Sequence, residues 1–144
     1  MDEIDNRILE ALKEDSSNTI RKISNRARVP ITTAHNRVKK LKKEGVIKRY
    51  TIEIDYKKIG KALSAIILVN FDYKLLRDLK KDQHEMAEEI KSLPEVETAD
   101  IVTGETDMVI KVRVKDVEEF DIFLLKKLQK IAGIDKTKSL IVIH

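Results

Sequence analysis

Thr32, Thr33 and Asn36 stand together in this sequence, and Lys39, Lys40 and Lys43 follow them closely. A threonine hydroxyl donates or accepts a hydrogen bond, and its methyl packs against the methyl of thymine. An asparagine amide pairs bidentately with the edge of adenine. Lysine and arginine neutralise phosphates and fix register without reading sequence. The residue types therefore suit a nucleic acid duplex. Thr32, Thr33 and Asn36 are expected on base edges. Arg28, His35, Arg37, Lys39, Lys40 and Lys43 are expected on phosphates or at the groove edges.

The charge distribution agrees. From Ile20 to Tyr50 there are eleven Lys/Arg and a single acid, Glu44, a net +10 against +4 for the whole chain; the remainder is therefore net −6. A local basic face on an otherwise acidic body is the footprint of a polyanion-binding module. A Lys-rich solvated helix face is the bland alternative.

Composition excludes other chemistries. With no cysteine, the 144-residue chain has no disulfide framework, thiolate nucleophile or Cys-based zinc site. His35, His84 and His144 lie far apart in sequence with no carboxylate cluster to complete a metal site. No metal, cofactor or catalytic residue is expected. No apolar run approaches the roughly 20 residues that span a bilayer, and the acidic start (Asp2, Glu3, Asp5) is wrong for a secretory signal. The expected setting is the cytoplasm, with no membrane partner.

The elements that must position these residues follow from periodicity. Asp2 and Asp5 form an acidic capping box ahead of Ile4, Ile8, Ala11 and Leu12, the apolar face of a first helix that ends at Asp15-Ser16-Ser17-Asn18. Thr19 caps a second, short helix with Ile20, Ile23 and Ala27 inward, and Pro30 marks its limit. A third helix runs from about Ile31 to Glu44 and stops at Gly45, with Ala34, Val38 and Leu41 buried. At about 100° per residue, the opposite face holds Thr32, Asn36, Lys39 and Lys43. A short helix, a tight turn and a second helix with a basic polar face make a helix-turn-helix, whose second helix enters the major groove.

Beyond Gly45, Val46 to Asp55 alternates like a strand. Residues 1–50 are assigned to the DNA-binding domain, 51–61 to a linker strand and 62–144 to a second domain. There, strands are expected over Ala62 to Tyr73, Val96 to Thr103, Met108 to Val114 and Lys138 to Ile143. One helix is capped by Asp82 and Glu85, with Met86, Ala87, Ile90 and Leu93 inward. Another is capped by Asp116 and Glu119, with Val117, Phe120, Leu124, Leu128 and Ile131 inward. The order βαββαβ is the ferredoxin-like arrangement. The fold class is α+β: a winged-type helix-turn-helix followed by a βαββαβ domain. Helices cover one sheet face, and a symmetric dimer pairing two sheets is the economical cover for the other.

The chain resembles the Lrp/AsnC (leucine-responsive, feast/famine) family of transcriptional regulators over essentially its whole length. The resemblance is carried by Asp2-Glu3-Ile4-Asp5-Asn6-Arg7-Ile8-Leu9, Arg37-Val38-Lys39-Lys40-Leu41, Glu44-Gly45-Val46-Ile47 and Val102-Thr103-Gly104-Glu105-Thr106-Asp107. It implies a homodimer that often assembles further, up to octamers, and a C-terminal domain regulating amino acid metabolism (RAM domain) that can bind an amino acid between subunits. The effector pocket is then expected at Thr103, Gly104, Glu105, Thr106 and Asp107, with Thr137 and Ser139 nearby. Asp107 would accept from the ammonium; backbone N–H groups near Gly104 and the hydroxyls would serve the carboxylate. Alternatively, Gly104 only permits the turn and Asp107 only stabilises it. Two departures from the family pattern stand out. Pro30 occupies the usual Ser cap of the recognition helix, leaving Thr32 or Thr33 as substitute caps, and Thr106 replaces the aromatic of the turn. Two rival functions remain: an enzyme similar to sirohaem decarboxylases, and an amino acid sensor acting through a protein partner.

Overall fold

The computed structural model describes all 144 residues and separates into two compact units, Met1–Glu53 and Ile54–His144.

The first unit is three helices: α1 (Glu3–Glu14), α2 (Ile20–Ala27) and α3 (Ile31–Lys43). Each starts where local chemistry supplies an acceptor or a fixed φ. At α1 the capping box closes in both directions, Asp5 N–H donating to Asp2 Oδ1 (2.9 Å) and Asp2 N–H to Asp5 Oδ2 (3.0 Å). Thr19 Oγ1 accepts from Lys22 N–H at 3.3 Å to start α2. The cap of α3 is Pro30, which has no side-chain acceptor; Thr32 and Thr33 lie inside the first turn and do not replace it. Ile8, Leu12, Ile23, Ala27, Ala34 and Leu41 meet in one small core. Its six side chains contribute by desolvation, about 1.5–3 kcal/mol for each large one.

The strand expected over Val46 to Asp55, and with it the linker strand at 51–61, does not form. Residues 46–55 make no ladder, and a run of turns occupies 56–60. The alternation of Ile52 and Ile54 is present, but these residues belong to no ladder, and an unpaired strand cannot satisfy its backbone groups. Ile52 is accordingly 79% exposed.

The second unit is β1 (Leu63–Phe71), α4 (Tyr73–Asp78), α5 (Gln83–Lys91), β2 (Val96–Ile101), β3 (Met108–Val114), α6 (Val117–Ile122) and β4 (Ile134–Val142). The sheet order is β2-β3-β1-β4, every neighbouring pair antiparallel. Ala65, Ile67, Val69 and Phe71 of β1 and Met108, Ile110, Val112 and Val114 of β3 point to the helices. There they pack with Leu76, Met86, Ala87, Ile90, Phe120, Phe123 and Leu128. The intervening residues face the other side.

Several boundaries differ from the sequence reading. β1 stops at Phe71 because Asp72 caps an unforeseen short helix, α4, its carboxylate accepting from Leu75 N–H at 3.0 Å. β2 ends at Ile101, and β4 begins four residues earlier than expected, at Ile134. α6 does not continue to Gly133 as one helix. It passes into a wide π-type stretch, Phe123–Lys127, and a 3-10 turn, Leu128–Lys130. Val117, expected inward, is 69% exposed, whereas Phe120, Phe123 and Leu128 are buried. Val117 is the first residue after the Asp116 cap, on the outer side of the first turn.

Candidate nucleic-acid interface and ligand pocket

α3 presents the candidate residues much as its periodicity requires. Ala34 and Leu41 are buried and Val38 half-buried, so Thr32, His35, Asn36, Lys39, Lys40 and Lys43 are exposed, with Thr33 half-buried beside them. Thr32, Asn36, Lys39 and Lys43 form one stripe along the outer face. None of these four side chains is committed to a hydrogen bond or ion pair within the chain, while Lys40 approaches Glu44 at 3.9 Å. The first turn of α3 contains no acid, and its N–H groups have no side-chain acceptor. Together they make an end suited to an anionic oxygen.

Arg28 sits at the sharp turn between α2 and α3 in the left-handed region, φ +55°. The turn is held by Val29 N–H donating to Ser24 O (3.1 Å) and by the Ser24 hydroxyl donating to Val29 O (2.6 Å). At the far end of α3, Lys42 lies over the Tyr50 ring at 5.2 Å, a cation–π contact.

Arg37 is placed differently from the sequence expectation. Its Nη1 donates to Asp2 Oδ2 at 2.6 Å and to Asp5 Oδ1 at 3.2 Å, and Asp5 is buried. A guanidinium engaged by two carboxylates is not a free phosphate contact. The Asp5 N–H foremost, and Arg37 second, hold the Asp2 carboxyl below its ordinary value. The two acids, Asp2 first, push the guanidinium further up. The sequence reading missed this because the partners are 35 and 32 residues apart.

In the second unit, Thr103, Gly104 and Asp107 line an open hollow of about 700 Å³ with Gln83, Ile101 and Val102. Gly104 has φ +114° with open space where a Cβ would stand, so conformation alone asks for glycine. Asp107 is bonded into the fold: Oδ2 accepts from Phe71 N–H at 2.9 Å and Oδ1 from the Tyr73 hydroxyl at 2.7 Å. Gln83 Nε2 donates to the Tyr73 oxygen at 2.7 Å, and Asn70 Nδ2 to Glu105 O at 2.6 Å. Desolvation, then the Asp107 carboxylate, raises the Tyr73 phenol above its usual value. Sequence reasoning passed over Asn70, Tyr73 and Gln83, which only the fold brings to the turn.

Glu105 and Thr106 belong to the turn but do not line the hollow. Thr137 and Ser139 are not brought to it either. They lie on β4, opposite Val69 and Ile67 of β1, which separates them from β3; the Thr137 hydroxyl accepts from Gln129 at 3.2 Å.

Comparison with known proteins fits both units. Residues 64–144 match the Lrp/AsnC ligand binding domain, and residues 1–48 match a winged helix-turn-helix DNA-binding family. An uncharacterised HTH-type transcriptional regulator of Pyrococcus horikoshii is 36% identical over 141 residues, 98% of this chain and 91% of the relative. The chain belongs to the Lrp/AsnC family. The HTH-type transcriptional regulator FL11 of the same organism is 34% identical over 144 residues, covering 99% and 89% of the two chains. Among solved structures, a Neisseria meningitidis transcriptional regulator described as an L-Met complex has 25% identity and a TM-score of 0.88, covering 100% of this chain and 90% of the other. Escherichia coli AsnC has 27% identity and a TM-score of 0.80, covering 100% and 93%. This Lrp/AsnC chain is thus a transcriptional regulator with a helix-turn-helix DNA-binding domain, and the enzyme alternative is set aside. No helix is long and apolar enough to cross a membrane.

Proposed function

We propose that the chain acts in the cytoplasm as a dimer or larger homo-oligomer that binds a roughly palindromic operator through two copies of α3. The observation that carries this reading is the exposed, internally unpaired stripe Thr32, Asn36, Lys39 and Lys43. Thr32, Thr33 and Asn36 read base edges; Arg28, His35, Lys39, Lys40 and Lys43 meet phosphates or groove edges. Two recognition helices related by a two-fold meet half-sites about 34–36 Å apart. Self-association is supported by the uncovered sheet face, where Ile66, Leu68, Val109, Leu140 and Val142 present apolar side chains and Leu140 is 44% exposed.

Binding-site selection from random duplex DNA at about 0.15 M salt, near physiological ionic strength, tests the reading. Enrichment of a palindrome with half-sites one helical turn apart supports it. Salt-sensitive affinity without enrichment overturns it in favour of a sequence-neutral binder.

The hollow at 101–107 is the effector site in this reading, and its ligand a small amino acid. Support comes from the family's ligand-binding domain and from the L-methionine complex of the Neisseria relative. Since β1 separates Thr137 and Ser139 from the turn, they join the pocket only from another copy. Calorimetric titration with the twenty amino acids, repeated with Thr137→Ala, tests both points.

A further inference from the structure

Asp2, Asp5 and Arg37 form a closed ring. Each carboxylate uses one oxygen for the capping box and turns the other to the same Arg37 nitrogen: Asp2 Oδ1 to Asp5 N–H, Asp2 Oδ2 to Arg37, Asp5 Oδ2 to Asp2 N–H, Asp5 Oδ1 to Arg37. Two of these bonds, at 2.6 and 3.2 Å, tie the first turn of α1 to the middle of α3, and the other two, at 2.9 and 3.0 Å, fix the carboxylates that receive them. Asp5 is 2% exposed, so water cannot replace Arg37 around it.

The tie falls on a consequential point of α3. Arg37 follows Asn36 directly and precedes Lys40 by less than one turn. The apolar contacts of α3 resist its separation from α1 and α2, but such contacts are non-directional. Fixed-geometry bonds from a planar guanidinium to two carboxylates restrict sliding and rotation about the helix axis. A base-reading side chain needs that restriction, because its selectivity depends on placement within a fraction of an ångström. The charge count agrees: two carboxylates around one guanidinium leave a net negative spot, which disfavours a phosphate there.

We propose that Arg37 is a positioning residue for base readout, holding α3 in register through Asp2 and Asp5, and not a phosphate contact. This rests on the proposed DNA-binding role of α3.

The test is salt-dependent binding of full-length variants to two fluorescent probes, the selected duplex and a random-sequence duplex. Lys43→Ala should weaken both equally and reduce the salt slope by about 0.9 for each of the two copies of α3 bound. Arg37→Gln should leave the slope unchanged while preference for the selected duplex falls about tenfold, the size of one lost base contact. Asp5→Asn removes a negative charge, so on charge alone it should bind DNA more tightly; the proposal expects it to lose selectivity as Arg37→Gln does. Asp2→Asn, which touches the more exposed half of the ring, repeats the test where Asp5→Asn does not fold. Arg37→Lys keeps the charge but puts a freely rotating ammonium on a shorter stem in place of the planar donor, and should not rescue selectivity. The proposal is overturned if Arg37→Gln lowers the slope and weakens both probes alike, or if both acid variants keep full selectivity. Failure of wild-type protein to bind either probe would instead remove the DNA-binding role itself, and with it any register for Arg37 to hold.

Discussion

In the first unit the side chains best suited to binding are free, whereas in the second the most polar of them already serves the fold. Thr32, Asn36, Lys39 and Lys43 have no partner in the chain and sit on a helix whose opposite face supplies the core. Asp107 caps the end of β1 through Phe71 N–H and anchors Tyr73, so any ligand it receives must share an acceptor already in use. A helix face can be varied for recognition without touching stability. A turn that closes a sheet cannot. The two units should therefore respond differently to substitution, and four measurements sharpen or break the contrast.

The largest effect is expected where fold demands are strictest. Gly133 has φ +108°, and a Cβ there would lie 2.4 Å from Leu76 Cδ2 and 3.2 Å from Met86 Sδ. Gly133→Ala combines backbone strain with overpacking and should cost about 2–4 kcal/mol by urea denaturation. Gly104→Ala has comparable strain but open space, and should cost only about 1 kcal/mol. Equal costs would show that crowding beneath α4 and α5 contributes nothing.

Asp107→Ala comes next. It leaves Phe71 N–H without an acceptor and frees Tyr73, for a loss of about 1–3 kcal/mol. Hydrogen exchange at the β1 end should rise in parallel. The companion substitution Asn36→Ala should change stability by less than about 0.5 kcal/mol while costing roughly 1–3 kcal/mol of base preference at one operator position. If Asn36→Ala destabilised the first unit, or left base preference intact, the contrast would fail.

These pairs also show what was legible in the sequence. α1, α2 and α3 could be placed because local signals agreed: Asp2 with Asp5, Thr19, Pro30 and Gly45 mark ends that hydrogen bonding and φ then enforce. The βαββαβ order could be read because β1 is centred on the β-rich run Ile66-Ile67-Leu68-Val69 and β3 alternates strictly in burial. What stayed hidden depends on distant partners. The alternation of Ile52 and Ile54 looks like a strand, but a strand needs a neighbour that no local pattern reveals. Arg37 looked like one more cation on a basic helix until folding set it against Asp2 and Asp5. The wide turn at Phe123–Lys127 arises because Phe123 and Leu128 must both reach the core, which an uninterrupted 3.6-residue period does not arrange.

A smaller effect concerns acid. Asp2 has its carboxyl lowered from the model-peptide value of 3.8 by Asp5 N–H and then Arg37. A depressed folded value contributes stability that is complete above the unfolded pKa and lost as pH falls through the folded one. The first unit should therefore weaken below about pH 4, and Asp2→Asn should flatten that slope between pH 5 and pH 3 in circular dichroism melts. An unchanged slope would mean that the ring does not respond to protonation of Asp2.

The smallest effect separates stability from binding at a single residue. Arg28 holds φ +55° at the turn into α3, a conformation that L side chains adopt at a cost of roughly 1–2 kcal/mol. Glycine relieves that cost but adds freedom to the unfolded chain, so Arg28→Gly should stabilise the first unit by only about 0.5 kcal/mol. Removing its cation should at the same time weaken binding to every duplex and lower the salt slope by about 0.9 per bound subunit. Stability and affinity would then move in opposite directions, as expected of a side chain placed at the turn for its charge and tolerated there against its backbone preference. A stabilised protein with an unchanged slope would instead take Arg28 out of the DNA interface and leave the turn strain without a binding role to offset it.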